Sequence, residues 1–462
     1  MPGSGVTKRS LLKAAAAAAL GRAVPAQSRP PNFIYINADD LGYGDLGCYG
    51  SQLRTPHLDS MASGGARFRQ FYSASPVCSP SRAALMTGRY PTRVGVAHVL
   101  APESPSGLPE SETTLAQVLK AQNYKTMCIG KWHLGSQPQY LPTSRGFDEY
   151  FGIPYSNDMW PLVLLHDATV IEDSVNLDTL AERYTQQAVQ FIARSKDAPF
   201  FLYLAPAMPH LPLAASARFR CRSGLGPYGD AVEELDWSVG QVLQALGANG
   251  LEEQTLVMFS SDNGPWFQGS PGRLRGRKGE TFEGGMRVPF LARFPGRIPS
   301  GVTVHAVATA MDILPTLARL ARAPLPPNPL DGVDLWPLLT GERSEVEREA
   351  FLYFSSWNAQ CARVGRWKLH VARYNTPPWT PEPRVGQLNL PLPRPELYDL
   401  EADSEESYDT AGDNPQIVAD LRACLEALLA TFPDQVRTAW RNTMSRTVED
   451  TNAGQWPAPK TG

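Results

Sequence analysis

The 462-residue sequence predicts an α/β fold, a large mixed and mostly parallel sheet covered by helices on both faces, followed by a smaller C-terminal α+β domain. Three observations predict it. Four apolar runs read as buried strands, and each ends in polar residues at its C-terminal side. Between them lie stretches whose apolar residues recur at three- and four-residue steps, the period of an amphipathic helix. Beyond a proline cluster the pattern changes to short strands and a closing helix.

In chain order, Lys8, Arg9 and Lys13 border an alanine-rich apolar stretch over residues 11–20, and Val24-Pro25-Ala26 supplies small residues suited to cleavage. This is the layout of an export signal over residues 1–26, so a periplasmic or secreted protein is expected. The apolar stretch is shorter than the ~20 residues a bilayer span needs. The run from Thr7 to Lys13 resembles a twin-arginine signal with Lys8 where the first arginine should stand, which leaves the export route open. Strands follow at 33–36, 126–129, 200–204 and 256–259, and helices at 112–121, 180–193, 229–246 and 311–320. Pro324, Pro326, Pro327 and Pro329 mark a loop or linker, and a boundary near residue 340 divides a catalytic domain (27–340) from the smaller domain (341–462). There, 350–354, 367–371 and 396–400 read as strands and 415–432 as a helix, while 377–395 reads as a proline-rich surface loop and the tail from Thr443 as loosely ordered.

Composition excludes several classes. Apolar residues make up 42% and charged residues 19%, a globular profile. The 43 basic and 46 acidic residues form no long run of one sign, so no nucleic-acid or polybasic membrane surface is expected. Loss of residues 1–26 would leave 39 basic against 46 acidic residues. The six cysteines contain no C-x-x-C pair and no recognisable disulfide framework.

The polar residues at the four strand ends carry the chemistry. Asp39-Asp40 follows the first strand, Lys131 and His133 the second, His210 lies beyond the third, and Asp262-Asn263 follows the fourth. Ligands of open α/β sheets sit beyond the carboxyl ends of strands, so these side chains are expected to converge. Adjacent carboxylates repel unless a cation neutralises them, and an added amide oxygen completes a donor set of the kind calcium or magnesium prefers. Either pair alone could equally cap a helix or a turn.

Cys78-Ser79-Pro80-Ser81-Arg82, followed by Thr87-Gly88-Arg89, resembles the signature of the type I sulfatases. Gly130-Lys131-Trp132-His133-Leu134-Gly135 is similar to that family's second signature. Matches continue through Pro209-His210 and the segment after Lys278, so the resemblance spans nearly the whole chain. Asp39-Asp40-Leu41-Gly42-Tyr43-Gly44-Asp45 and Leu397-Tyr398-Asp399-Leu400 look most like the arylsulfatase A and N-acetylgalactosamine-6-sulfatase branch.

The resemblance implies an alkaline-phosphatase-like fold and hydrolysis of sulfate esters on a sulfated small molecule or glycan. It implies that a formylglycine-generating enzyme oxidises Cys78 to formylglycine, whose hydrate is the nucleophile. Asp39, Asp40, Asp262, Asn263 and the modified Cys78 would ligate one divalent cation, calcium with magnesium as the alternative. Lys131 and Lys278 would bind sulfate, Arg82 would support the diol, and His133 and His210 would handle protons. Two rival readings are a phosphate or phosphonate ester hydrolase on the same fold and a catalytically silent binder of sulfated glycans. Loops at 154–173, 266–275 and 355–360, with Trp160, Trp266 and Trp357, are expected at the mouth of the site.

Overall fold

A computed structural model describes residues 29–376 and 387–447, so the signal segment expected at 1–26 lies outside the described residues. The main sheet contains β1 (Asn32–Ala38), β2 (Ala66–Tyr72), β3 (Lys125–Gly130), β4 (Glu149–Gly152), β5 (Leu164–His166), β6 (Thr169–Glu172), β7 (Phe200–Ala205), β8 (Thr255–Ser261), β9 (Arg287–Arg293), β10 (Val302–Val304) and β11 (Ala308–Thr309). Their order is β10-β2-β9-β8-β1-β7-β3-β4-β5-β6, with β11 also paired to β2. The central strands β8, β1, β7, β3 and β4 are mutually parallel, and β9 runs antiparallel to both β8 and β2.

The helices are α1 (Pro56–Ser63), α2 (Cys78–Thr87), α3 (Leu115–Lys120), α4 (Leu180–Arg194), α5 (Gly226–Ala248), α6 (Glu283–Met286), α7 (Ile313–Ala321), α8 (Trp336–Leu339), α9 (Pro415–Leu429) and α10 (Asp434–Met444). Alternation along β1 explains why both faces of the sheet are covered. Phe33 and Tyr35 join a core with residues of α2, α3 and α7, whereas Ile34 and Ile36 join another with residues of α1, α4 and α5. Each such buried side chain stabilises the fold by roughly 1.5–3 kcal/mol relative to exposure. The expected start of α3 at residue 112 moves to Leu115, because Thr114 and Gln117 close a reciprocal capping box there.

A second sheet, order β12-β13-β14-β15, comprises β12 (Phe351–Ser355), β13 (Asn358–Val364), β14 (Trp367–Tyr374) and β15 (Asn389–Asp399), all antiparallel. From Asn389 on, β15 corrects the loop expected over 377–395, of which 377–386 lie outside the described residues. Its prolines, Pro391, Pro393 and Pro395, are tolerated because β15 is an edge strand, and the register with β14 shifts between His370 and Ala372. The tail expected to be loose from Thr443 is also corrected at its start. Thr443 is buried within α10, and its hydroxyl accepts a 3.1 Å hydrogen bond from Asn389 Nδ2.

The described residues from Pro31 onward form one compact unit. Phe351–Phe354 and leucines of α9 pack with Tyr72, Met286 and Met311 of the larger sheet and its connections. Beneath this apolar contact lies a buried ionic cluster. Lys368 on β14 sits 3.0 Å from Glu283 Oε1 and 2.9 Å from Glu406 Oε1, and His370 Nε2 is 2.7 Å from Glu406 Oε1. Burial tends to raise the Glu406 carboxyl, but Lys368 and His370 outweigh it and bring it down from 4.5 to about 2. A depressed carboxyl stabilises the fold above its unfolded value, and that stabilisation is lost as the pH falls. Thermal melting between pH 6 and 2 should therefore show the midpoint of the wild-type chain falling as the pH drops from 4.5 towards 2. The fall should be shallower in Glu406→Gln, and parallel curves would refute this account.

Candidate active site

The parallel core places the polar strand ends side by side. β1 lies between β7 and β8, and β3 lies beyond β7, so Asp39-Asp40, Asp262-Asn263, Lys131, His133 and the segment leading to His210 leave the sheet at one edge. Backbone bonds fix their spacing. Asp39 N–H donates to Met208 O at 3.0 Å, Asp262 N–H to Ala38 O at 3.0 Å, and Lys131 N–H to Ala205 O at 2.7 Å. Asp40 and His133 hold positive φ of 61° and 60°, a region that costs most residues about 1–3 kcal/mol and that the surrounding bonds must enforce.

Cys78 opens α2 after an extended Val77, Pro80 fits the first turn, and Gly88 ends the helix at φ 69°. All ten residues of α2 are buried, and the Cys78 Sγ is 3.8 Å from Asp39 Oδ1. Four residues on, one turn along the same face, Arg82 directs its guanidinium to Asp262 Oδ2 at 3.0 and 2.8 Å and to Lys131 O at 2.7 Å. Its Nη2 also lies 3.5 Å from Asp39 Oδ2. Arg82 thus joins three strand ends to the helix that carries the cysteine.

Two lysines complete the constellation. Lys131 Nζ lies 2.5 Å from Asp39 Oδ2 and donates to Ser156 Oγ at 3.0 Å. Lys278 Nζ lies 2.8 and 2.9 Å from the two oxygens of Asp40, which also accepts from Asn263 Nδ2 at 2.8 Å and faces His210 Nε2 at 3.6 Å. Burial tends to raise Asp39, but Lys131, His210, Arg82 and Lys278 hold it well below the usual carboxylate range. Burial and the neighbouring Asp39 carboxylate instead push Asp262 up to about 6, against Arg82 and Lys131.

Both histidines are driven towards the neutral form. For His133 the causes are burial and then Lys131 and Arg82, and for His210 burial and then Lys278. His133 Nε2 pairs with Leu100 O at 2.9 Å, which leaves its buried Nδ1 without a protein partner. A neutral ring that donates through Nε2 presents Nδ1 as an acceptor. Burial pushes the Cys78 thiol up to about 12, although Lys131 and Lys278 act against it. An unmodified Cys78 would therefore be a protonated and weak nucleophile near neutral pH.

The carboxylate and amide oxygens of the site suit a hard divalent cation. Ligand atoms of Asp39, Asp40, Cys78 and His210 lie within 4.8 Å of one another, and the buried Asn263 Oδ1 has no hydrogen-bond partner. Asp262 is less free, since Oδ2 accepts from Arg82 and Oδ1 from Asp40 N–H at 3.2 Å. Among the described residues this is the cluster of acidic, histidine and cysteine side chains that could hold a metal.

Comparison with known proteins decides the family. Residues 31–323 match the Sulfatase family, and residues 277–431 match the N-sulphoglucosamine sulphohydrolase C-terminal family. The chain belongs to the sulfatase family. It is 41% identical to human arylsulfatase A, with 93% of each chain covered. It is 40% identical to the N-acetylgalactosamine-6-sulfatase of Canis lupus familiaris, over 80% of this chain and 76% of the relative. The PsFucS1 sulfatase structure from Pseudoalteromonas sp. superposes with a TM-score of 0.80 at 27% identity, covering 90% of this chain and 92% of that one. The resemblance expected from the cysteine signature is thus borne out, and this sulfatase is a sulfuric ester hydrolase of arylsulfatase type.

Of the residues around this sulfatase's site, Ser156 and Leu100 O were not singled out from sequence, and Asp45 was quoted within a motif without its role as an anchor of the Lys278 loop. Asp45 accepts from Tyr228 at 2.6 Å and from Ser270 N–H at 3.0 Å, which ties that loop to the turn after β1. A polar residue soon after β4 was the available signal for Ser156. Part of the mouth loop expected at 154–173 folds as the β5–β6 hairpin, and Trp160 is exposed. Trp357 meets His98 edge-on at 6.2 Å, and Trp266 meets Phe267 edge-on at 5.0 Å.

Gly130 offers a sharp test of how Lys131 is placed. At φ 103°, a β-carbon there would stand 2.0 Å from Ala205 O, the carbonyl that anchors Lys131 N–H. Gly130→Ala should lower the melting temperature and abolish most sulfate release, whereas Gly250→Ala, at a surface turn with open space around it, should leave sulfate release unchanged. Equal activity of wild type and Gly130→Ala would overturn this placement.

Proposed function

We propose that this sulfatase cleaves sulfate esters of a small molecule or glycan through a formylglycine made from Cys78. The observation that carries the reading is the seat of Cys78 at the first turn of α2, 3.8 Å from Asp39 and within the field of Lys131 and Lys278. The thiol stands where the hydrated aldehyde would be. Asp39, Asp40, Asp262, Asn263 and the diol would hold one divalent cation, with His210 beside them. When bound, that cation would neutralise the carboxylates and withdraw charge from sulfate oxygens.

The chain's own groups then divide the work. One diol hydroxyl would attack sulfur while Asp262 accepts its proton, the ester S–O bond would break, and Lys278, beside neutral His210, would supply a proton to the departing alcohol. Neutral His133, through Nδ1, takes the proton of the second hydroxyl. Its electron pair forms the C=O bond, the bond to sulfate breaks, and water rehydrates the aldehyde. Lys131 and Lys278 would face the sulfate oxygens, as preorganised positive charge at the transition state.

The charge balance supports an anionic substrate. Asp39, Asp40 and Asp262 face Arg82, Lys131 and Lys278, so three negative charges already meet three positive ones. A divalent cation makes the site net positive, which favours a sulfate ester and its more highly charged transition state. Outside the described residues, the basic and apolar layout of 1–26 supports export.

Mass spectrometry of the Cys78 peptide from a host that contains a formylglycine-generating enzyme should show the aldehyde or its hydrate. Cys78→Ala should release no sulfate from a chromogenic aryl sulfate, and Lys131→Met should lower kcat by roughly 10²–10³-fold, the usual effect of removing one transition-state donor. An unmodified thiol in active protein would refute the mechanism, and faster turnover of the matched phosphate ester would favour a phosphohydrolase. Chelation should abolish turnover and added calcium or magnesium restore it; chelator-resistant turnover would exclude a required divalent ion.

A further inference from the structure

The buried ionic cluster under the small sheet reaches the segment that carries Lys278. Lys368 on β14 is 0% exposed and its Nζ donates to Thr281 O at 2.9 Å, besides facing Glu283 Oε1 at 3.0 Å and Glu406 Oε1 at 2.9 Å. An ammonium has three protons, and these three acceptors use them all, so Lys368 has none left for a substrate. Glu406 Oε2 in turn accepts from Glu283 N–H at 2.6 Å, and Gln360 Oε1 on β13 accepts from the Thr281 hydroxyl at 2.8 Å. Thr281 and Glu283 are thus gripped through backbone and side chain by the C-terminal sheet and the loop that follows it.

The grip continues to the active-site lysine. Between Lys278 and Thr281 the chain has little freedom, because Lys278 N–H donates to Pro265 O at 3.0 Å, Gly279 N–H to Pro76 O at 2.8 Å and Glu280 N–H to Arg277 O at 3.0 Å. Pro76 itself leads into Cys78. Without Lys368, the Thr281 carbonyl would lose its donor while two buried carboxylates faced each other, and the segment 278–283 would have to shift to reach other partners.

We propose that Lys368 is a positioning residue for Lys278, so that the C-terminal sheet holds one of the sulfate-binding groups in place. This rests on the sulfatase reading above. Lys368→Met preserves much of the side-chain volume and removes the charge. Displacement of a catalytic group by about 1 Å costs up to about 100-fold in rate, so kcat/KM for an aryl sulfate should fall about 10- to 100-fold. In a Lys278→Ala background the same substitution should change kcat/KM by less than about twofold, since the group it positions is gone.

Thr281→Val, which removes the hydroxyl bonded to Gln360 but leaves the ionic cluster whole, carries the same cycle should Lys368→Met fail to fold. Equal losses in both backgrounds would overturn the proposal. Hydrogen exchange gives a readout independent of turnover: amides 277–285 should exchange faster in Lys368→Met or Thr281→Val than in the wild type, and unchanged exchange would overturn the proposal as well. Absence of sulfate release by the modified wild-type chain would instead sink the sulfatase reading.

Discussion

Mutual repulsion among Asp39, Asp40 and Asp262 is the constraint on which the rest of the site depends. All three carboxylates are at most 3% exposed, a setting where an unpaired negative charge costs several kcal/mol. The fold answers with positive charge from three separate elements: Arg82 from α2, Lys131 from the end of β3, and Lys278 from the segment before α6. None of these cations is near the carboxylates in sequence, so the neutral balance exists only when the sheet is assembled. Electrostatics and topology are therefore one design here, since the parallel order that aligns the strand ends also brings together charges that could not stay buried apart.

Much of this was legible in the sequence because strand ends and helix starts announce themselves. The apolar runs leading to Asp39, Lys131, His210 and Asp262 all became buried strands of the parallel core, and the Cys78 turn became a helix with proline in its first turn and glycine just past its end. The less legible elements broke the apolar pattern. β2 carries Arg67 and Arg69, β9 contains Pro289, and β15 contains three prolines. Their pairing comes from neighbours far away in the chain, which local periodicity does not encode.

The site shows the same division. Residue types matched to signature motifs could be singled out one by one, but their partners could not. Ser156 beneath Lys131, Leu100 O beside His133 and Lys368 behind the Lys278 segment are an ordinary hydroxyl, a backbone carbonyl and a lysine inside an otherwise unremarked strand. Their importance is a matter of position. A buried lysine on a strand was the one hint of the last, and it becomes informative only when the carboxylates around it are seen.

The complete burial of α2 also bears on the order of events in the life of the chain. Cys78 is 2% exposed and opens a helix with no exposed residue, packed between the large sheet and the connections that lead to the small one. An enzyme that took this side chain into its own active site would have to open the core to reach it. Under the formylglycine reading proposed above, oxidation of Cys78 would have to precede folding, and the chain's maturation would become a race: molecules that close their core before a modifying enzyme arrives would keep a thiol it cannot reach.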